Sequence, residues 1–291
     1  MIIWRLSMNK FTRILFCFVP FLLAYAIQLS VSIPVMGIVF ADTVIKAEPG
    51  TAFWSMYADF ANILTHQNVS GTISLLYSVS VIIVFGFWYQ KRFEKLELRS
   101  IPSCFNVPRL FGLMLMVPGL QFLSTYVISF TAAIHPQWLD NYQKLMETAG
   151  LTDVLPIMAV YAIFTGPVCE ELIFRGVIMS YAKERFSFWA ANLIQALLFG
   201  LFHMNVIQGV YAFFVGMFLG YVRHQTKSMF PNMLLHILFN SWGVLITDTN
   251  IMYKADTPLF FVIWFFVGLI LTIFGMLLVK KAKVSSDISD N

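Results

Sequence analysis

Eight stretches of this chain are apolar over the length of a bilayer crossing, and alternate segments between them are rich in Lys and Arg. A crossing helix takes about 20 mostly apolar residues. Such windows fall at 14–40, 71–89, 110–133, 154–181, 187–204, 206–222, 230–247 and 258–279. The first is long enough to tilt or to bend at Pro20 or Pro34. The fifth and sixth lie so close together that they must form a tight hairpin. Composition agrees with this reading: 59% of the residues are hydrophobic and 12% charged, against about 45–50% and about 25% in soluble domains. So little charge cannot solvate a water-soluble globule of 291 residues. It excludes a disordered chain, a nucleic-acid binder and a disulfide-rich secreted domain. The expected fold is all-α, a polytopic membrane protein of about eight transmembrane helices. No linker divides it, so 1–291 reads as one membrane domain.

The positive charges orient the spans. Arg5, Lys10 and Arg13 precede the first. Lys91, Arg92, Lys95, Arg99 and Arg109 follow the second, Lys183 and Arg185 the fourth, Arg223 and Lys227 the sixth, and Lys280, Lys281 and Lys283 the eighth. With eight spans all of these fall on one side. Only Lys46, Lys144 and Lys254 fall on the other, and Arg175 lies within a span. Both termini are therefore expected in the cytoplasm, in a cell membrane. The apolar start is much longer than the signal-peptide core of about 7–15 residues and no A-x-A site follows it, so a retained first span is expected. Cysteine-accessibility labelling should find 91–109 and the C-terminus on the cytoplasmic side and 42–70 outside. Labelling of the C-terminus from outside would reject the eight-span topology.

Ionisable residues inside a span are costly, about 2.5–3.5 kcal/mol each at a helix centre on insertion scales, and mark function where they persist. They occur here in three clusters. Glu170 and Glu171 adjoin each other after Pro167, with Arg175 four residues beyond Glu171. Residues four apart share a helix face, so Glu171 and Arg175 can pair. Glu170 is rotated about 100° away and is left pointing elsewhere. Phe199 and His203 share a face of the next span. His236 and Asn240 share a face of the seventh. Each cluster has a plainer reading: carboxylates at a helix end, an interfacial histidine, and Asn and His as glue between helices. Together they offer a free carboxylate, two imidazoles and a carboxamide on three helices. A carboxylate and an imidazole can activate water, and an imidazole and an amide can stabilise an oxyanion. That inventory suits acyl-transfer hydrolysis.

At these residues the sequence resembles the CPBP intramembrane proteases, also called the Abi or CAAX-protease-and-bacteriocin-processing family, which is related to the Ras-converting CAAX prenyl endopeptidases. The family motifs EExxxR, FxxxH and HxxxN stand here in order as Glu170-Glu171…Arg175, Phe199…His203 and His236…Asn240. The resemblance covers roughly 165–245 and is silent on the first three spans and the last. It implies an intramembrane endopeptidase acting on a peptide or protein at the membrane. Glu170 would be the catalytic glutamate, activating water with His203. His236 and Asn240 would stabilise the oxyanion, and Glu171 and Arg175 would support the site, as would Phe199. The compact chain without long loops looks bacterial.

The metal question stays open in this resemblance. Glu170, His203 and His236 could form a two-histidine, one-carboxylate zinc set with room for water. Asn240 would be an odd neighbour there, since amides are poor zinc ligands, and its place beside His236 favours a metal-free site. A zinc-dependent metalloprotease of the same fold is one alternative. A transporter is another, although no repeated halves are visible. A non-catalytic immunity or scaffold protein is the third, although it has no need of all four polar residues. Gly216 and Gly220 read as a close helix contact. Cys169 reads as packing. Cys17, Cys104 and Cys169 make no CxxC clip or disulfide framework. The fifth span would carry His203 toward the outer side while Glu170 lies nearer the middle, a difference in depth that a tilted or broken fifth helix would reconcile.

Overall fold

A computed structural model describes residues 15, 17–93, 104–148, 155–245 and 258–282. Arg5, Lys10, Arg13, Lys95, Arg99, Lys254 and Lys283, used above to orient the spans, lie outside them. Among the described residues there are ten helices: α1 Val19–Lys46, α2 Phe53–Thr65, α3 Gln67–Arg92, α4 Val107–Ile134, α5 Pro136–Thr148, α6 Pro156–Lys183, α7 Phe188–Phe202, α8 Val206–Thr226, α9 Met229–Leu245 and α10 Pro258–Lys281. Eight of them occupy the eight apolar stretches. Six are long and apolar enough to cross a membrane: α1, α3, α4, α6, α8 and α10. α7 has 15 residues and α9 has 17. At 1.5 Å per residue α7 is about 22 Å long, short of a bilayer core of about 30 Å.

α2 and α5 were not expected, because each has only 13 residues, too few for a span, and α5 is polar as well. Both are amphipathic and neither buries a residue fully. In α5 the residues Trp138, Leu139, Tyr142, Leu145 and Met146 recur at helical spacing. This face lies against α4 and α8, and Tyr142 meets Tyr211 edge to face at 6.3 Å.

The helix pairs have legible causes. Gly112 and Gly119 of α4 and Gly268 and Gly275 of α10 are each seven residues apart and face one another in antiparallel order. A Cβ on Gly112 would stand 2.8 Å from the Gly275 carbonyl oxygen, and one on Gly275 would stand 2.6 Å from that of Gly112. Only glycine lets these backbones approach so closely, which is how helices associate where lipid supplies no hydrophobic drive. α7 and α8 form the expected hairpin. Its turn, His203-Met204-Asn205, puts Met204 in the left-handed region at φ 54°, and the Asn205 side chain accepts the Gln208 backbone N–H at 3.1 Å.

Within that hairpin Asn192 and Gln195 are fully buried. Asn192 donates to the Met217 carbonyl at 2.9 Å, and Gln195 donates to the Gly216 carbonyl at 3.0 Å and to Asn192 Oδ1 at 2.8 Å. Gly220 is small for these amides: a Cβ there would fall 1.9 Å from Asn192 Oδ1. Gly216 is small for Arg175, whose Nη2 would be 3.1 Å from a Cβ. The small-residue face expected at 216 and 220 therefore makes room for polar side chains as well as for a neighbouring helix.

Candidate active site

α6 is not a uniform helix. Tyr161–Thr165 and Leu172–Ile178 are π-helical turns on either side of the α-helical Gly166–Glu171. Wide turns of this kind gather at functional sites, and here they bracket the two glutamates. Glu171 is fully buried and is the hub. One carboxylate oxygen accepts Arg175 Nη1 at 2.9 Å and faces His236 Nδ1 at 2.8 Å; the other accepts the Asn232 side-chain amide. The Glu171–Arg175 pair expected from the spacing is present. The Arg175 guanidinium also lies 4.3 Å over the Phe199 ring, a cation–π contact that a buried cation exploits well.

Glu170, turned away from that pair as the helical phase requires, lines a cavity of about 340 Å³ together with Phe199, His203, His236 and Asn240. Its Oε2 lies 3.6 Å from His236 Nε2. His203 Nδ1 is 2.8 Å from the Phe199 carbonyl oxygen. A carbonyl only accepts, so Nδ1 carries a hydrogen, and in the neutral imidazole Nε2 is left with a lone pair. The same logic at His236 puts a hydrogen on Nδ1, facing the Glu171 carboxylate. Phe199 stands edge-on to both imidazoles, with centroids 4.9 Å from His203 and 5.8 Å from His236. Asn240 Nδ2 donates to the Ala162 carbonyl at 2.9 Å, which leaves its second N–H available. Leu145 and Met146 of α5 and Tyr211 of α8 also line the cavity. Burial pushes the Tyr142 hydroxyl up from its ordinary range, and its hydrogen bond to Tyr211 acts in the other direction.

The structure brings Glu170, His203, His236 and Asn240 to one cavity, and the depth expectation for the fifth helix needs correction. Glu170 lies 13 residues from the Lys183 end of α6, and His203 lies 15 residues from the Phe188 end of α7. Both stand about 20 Å from that end of the bundle. No tilt or break is required, because α7 is short and its turn sits at the depth of the cavity. Non-helical backbone is tolerated there because it lines a cavity within protein. The expectation that His236 and Asn240 turn free donors to one oxygen is also qualified. Each has one hydrogen-bonding position engaged, on Glu171 and on Ala162.

Asn232 escaped the sequence reading. It is fully buried and lies four residues before His236, so Asn232, His236 and Asn240 form one polar stripe along α9. The signal was present in the spacing. Among the described residues no group of three His, Cys, Asp or Glu side chains converges at distances that hold a metal ion.

Fold and cavity together define an all-α polytopic membrane protein with a carboxylate–imidazole–amide cluster lining a cavity among its helices. Residues 152–242, the stretch that holds all three motifs, match the family model described as type II CAAX prenyl endopeptidase Rce1-like. The chain is similar to the "Putative membrane peptidase YdiL" of Bacillus subtilis (strain 168), 26% identical over 106 residues. That alignment covers 36% of this chain and 42% of the relative, so the chain spans less than half the length of the curated relative it matches. No solved structure matches the chain.

Proposed function

We propose that the protein is an intramembrane endopeptidase that hydrolyses peptide bonds of a membrane-associated peptide or protein, with Glu170 as general base and no metal. The observation that carries this reading is the cavity in which Glu170, His203, His236 and Asn240 meet between apolar walls. Charge balance supports the protonation states. Glu170 and Glu171 as carboxylates, with Arg175 as guanidinium and His236 as imidazolium, sum to zero, as an ionic cluster inside a membrane protein requires. An imidazolium at His236 donates from Nδ1 to Glu171 and offers Nε2–H to the cavity.

Water entering the cavity gives a proton to Glu170 while its other hydrogen bonds to the lone pair on His203 Nε2. The hydroxide oxygen bonds to the scissile carbonyl carbon, and the carbonyl π electrons move onto oxygen. That oxyanion receives hydrogen bonds from His236 Nε2–H and the free Asn240 N–H. When the intermediate collapses the C–N bond breaks, and the leaving nitrogen takes the proton held by Glu170. The basic asymmetry of the loops supports cytoplasmic termini in a cell membrane.

Losing one oxyanion donor costs about 100- to 1,000-fold in turnover. Asn240→Ala should lower kcat by that order with KM nearly unchanged. Asn240→Asp should be at least as damaging, since a carboxylate repels the developing charge. Chelator treatment of the purified wild type should leave cleavage of an internally quenched apolar peptide intact. Stoichiometric zinc in active enzyme, with activity lost on stripping and regained on zinc addition, would replace this reading with the metal-dependent one.

A further inference from the structure

Pro167 lines the cavity but has no reactive atom. Its effect is on the helix before it. Proline lacks an N–H, and its ring collides with the carbonyl four residues back. α6 answers with the wide turn Tyr161–Thr165, in which the Gly166 N–H bonds to the Tyr161 carbonyl five residues earlier. Gly166 is needed for that turn, because a Cβ there would lie 2.9 Å from the Tyr161 oxygen.

The carbonyl of Ala162 is then left over. Its partner in α register would be the Gly166 N–H, which is committed to Tyr161. Its partner in π register would be the N–H of residue 167, which proline does not have. Ala162 is half-buried and lines the cavity, and a carbonyl held there without a protein partner is costly. Asn240 Nδ2, arriving from α9, fills the position at 2.9 Å. That bond ties one amide hydrogen to α6 and fixes the plane in which the other must lie.

We infer that Pro167 is a positioning residue for Asn240: by withholding an N–H it keeps the Ala162 carbonyl open, and that carbonyl sets the orientation of the Asn240 amide in the cavity. The inference rests on the reading of Asn240 as an oxyanion donor. The Gly166-Pro167 pair thus converts a local helix defect into an anchor between α6 and α9. Pro34, inside α1 and exposed, has no such relation to the cavity.

Pro167→Ala returns an N–H that can recapture the Ala162 carbonyl. In purified enzyme cleaving an internally quenched apolar peptide, it should lower kcat about 100-fold, the scale of a 1 Å misplacement of a reacting group. KM should hold and the melting temperature should not fall. The double variant with Asn240→Ala should be no slower than Asn240→Ala alone, and Pro34→Ala should match wild type. Wild-type turnover in Pro167→Ala, alongside a slow Asn240→Ala, overturns this inference and leaves the oxyanion role standing. Full turnover in Asn240→Ala sinks the oxyanion role instead. A second measurement needs neither cleavage nor the proline variant. The Asn240 side-chain amide of wild type, assigned by its disappearance in Asn240→Ala, should show one slowly exchanging and one faster proton by NMR. Two rapidly exchanging protons overturn the inference.

Discussion

Glu170→Gln should leave a folded protein in the membrane that no longer cleaves. The residue faces the cavity, and among the described residues its ion-pair partner is His236 at 3.6 Å. Removing its charge therefore disturbs little packing. What is lost is the base that takes the proton from water, worth about 100- to 10,000-fold. The check is turnover measured beside membrane abundance and melting temperature. An active, stable Glu170→Gln would remove Glu170 from the chemistry altogether.

The neighbouring substitution should behave differently. Glu171→Gln removes the anion that faces Arg175, Asn232 and His236 at once. Arg175 would remain charged and almost fully buried, with its Nε and Nη2 already lacking hydrogen-bond partners among the described residues. Breaking a buried pair by removing one member costs about 3–5 kcal/mol, a large part of a typical total stability of about 5–15 kcal/mol. Glu171→Gln should therefore reduce yield and melting temperature sharply. The double variant Glu171→Gln/Arg175→Met removes the stranded charge and should recover yield, yet stay slow because His236 still lacks its carboxylate. A well-folded, inactive Glu171→Gln beside an active Glu170→Gln would reverse the two roles.

The different fates of these adjacent glutamates could be read from helical phase alone. A step of 100° separates them, and four residues bring Glu171 over Arg175. The membrane character of the chain is equally local: runs of apolar residues and the Lys and Arg between them carry it without any knowledge of packing. The glycines of α4 and α10 were visible as letters, but nothing in a single chain says which two of many glycines will face each other. Asn232 was legible in principle, four residues from His236, and was passed over because a lone buried amide has many uses.

By itself the sequence determined the all-α membrane fold, the positions of eight of the ten described helices to within about six residues, and which side chains are too polar to be idle in lipid. It did so because helix period and hydropathy are properties of near neighbours. The tertiary structure alone decided that α7 ends at the depth of Glu170, that α5 lies over the cavity, that Glu171 also holds Asn232 and His236, and that Asn240 finds the Ala162 carbonyl. These depend on where elements far apart in the chain come to rest. Pro167 lies between the two kinds of knowledge. Its missing N–H is written in the sequence, but the identity of the donor that replaces it is fixed only when α9 packs against α6.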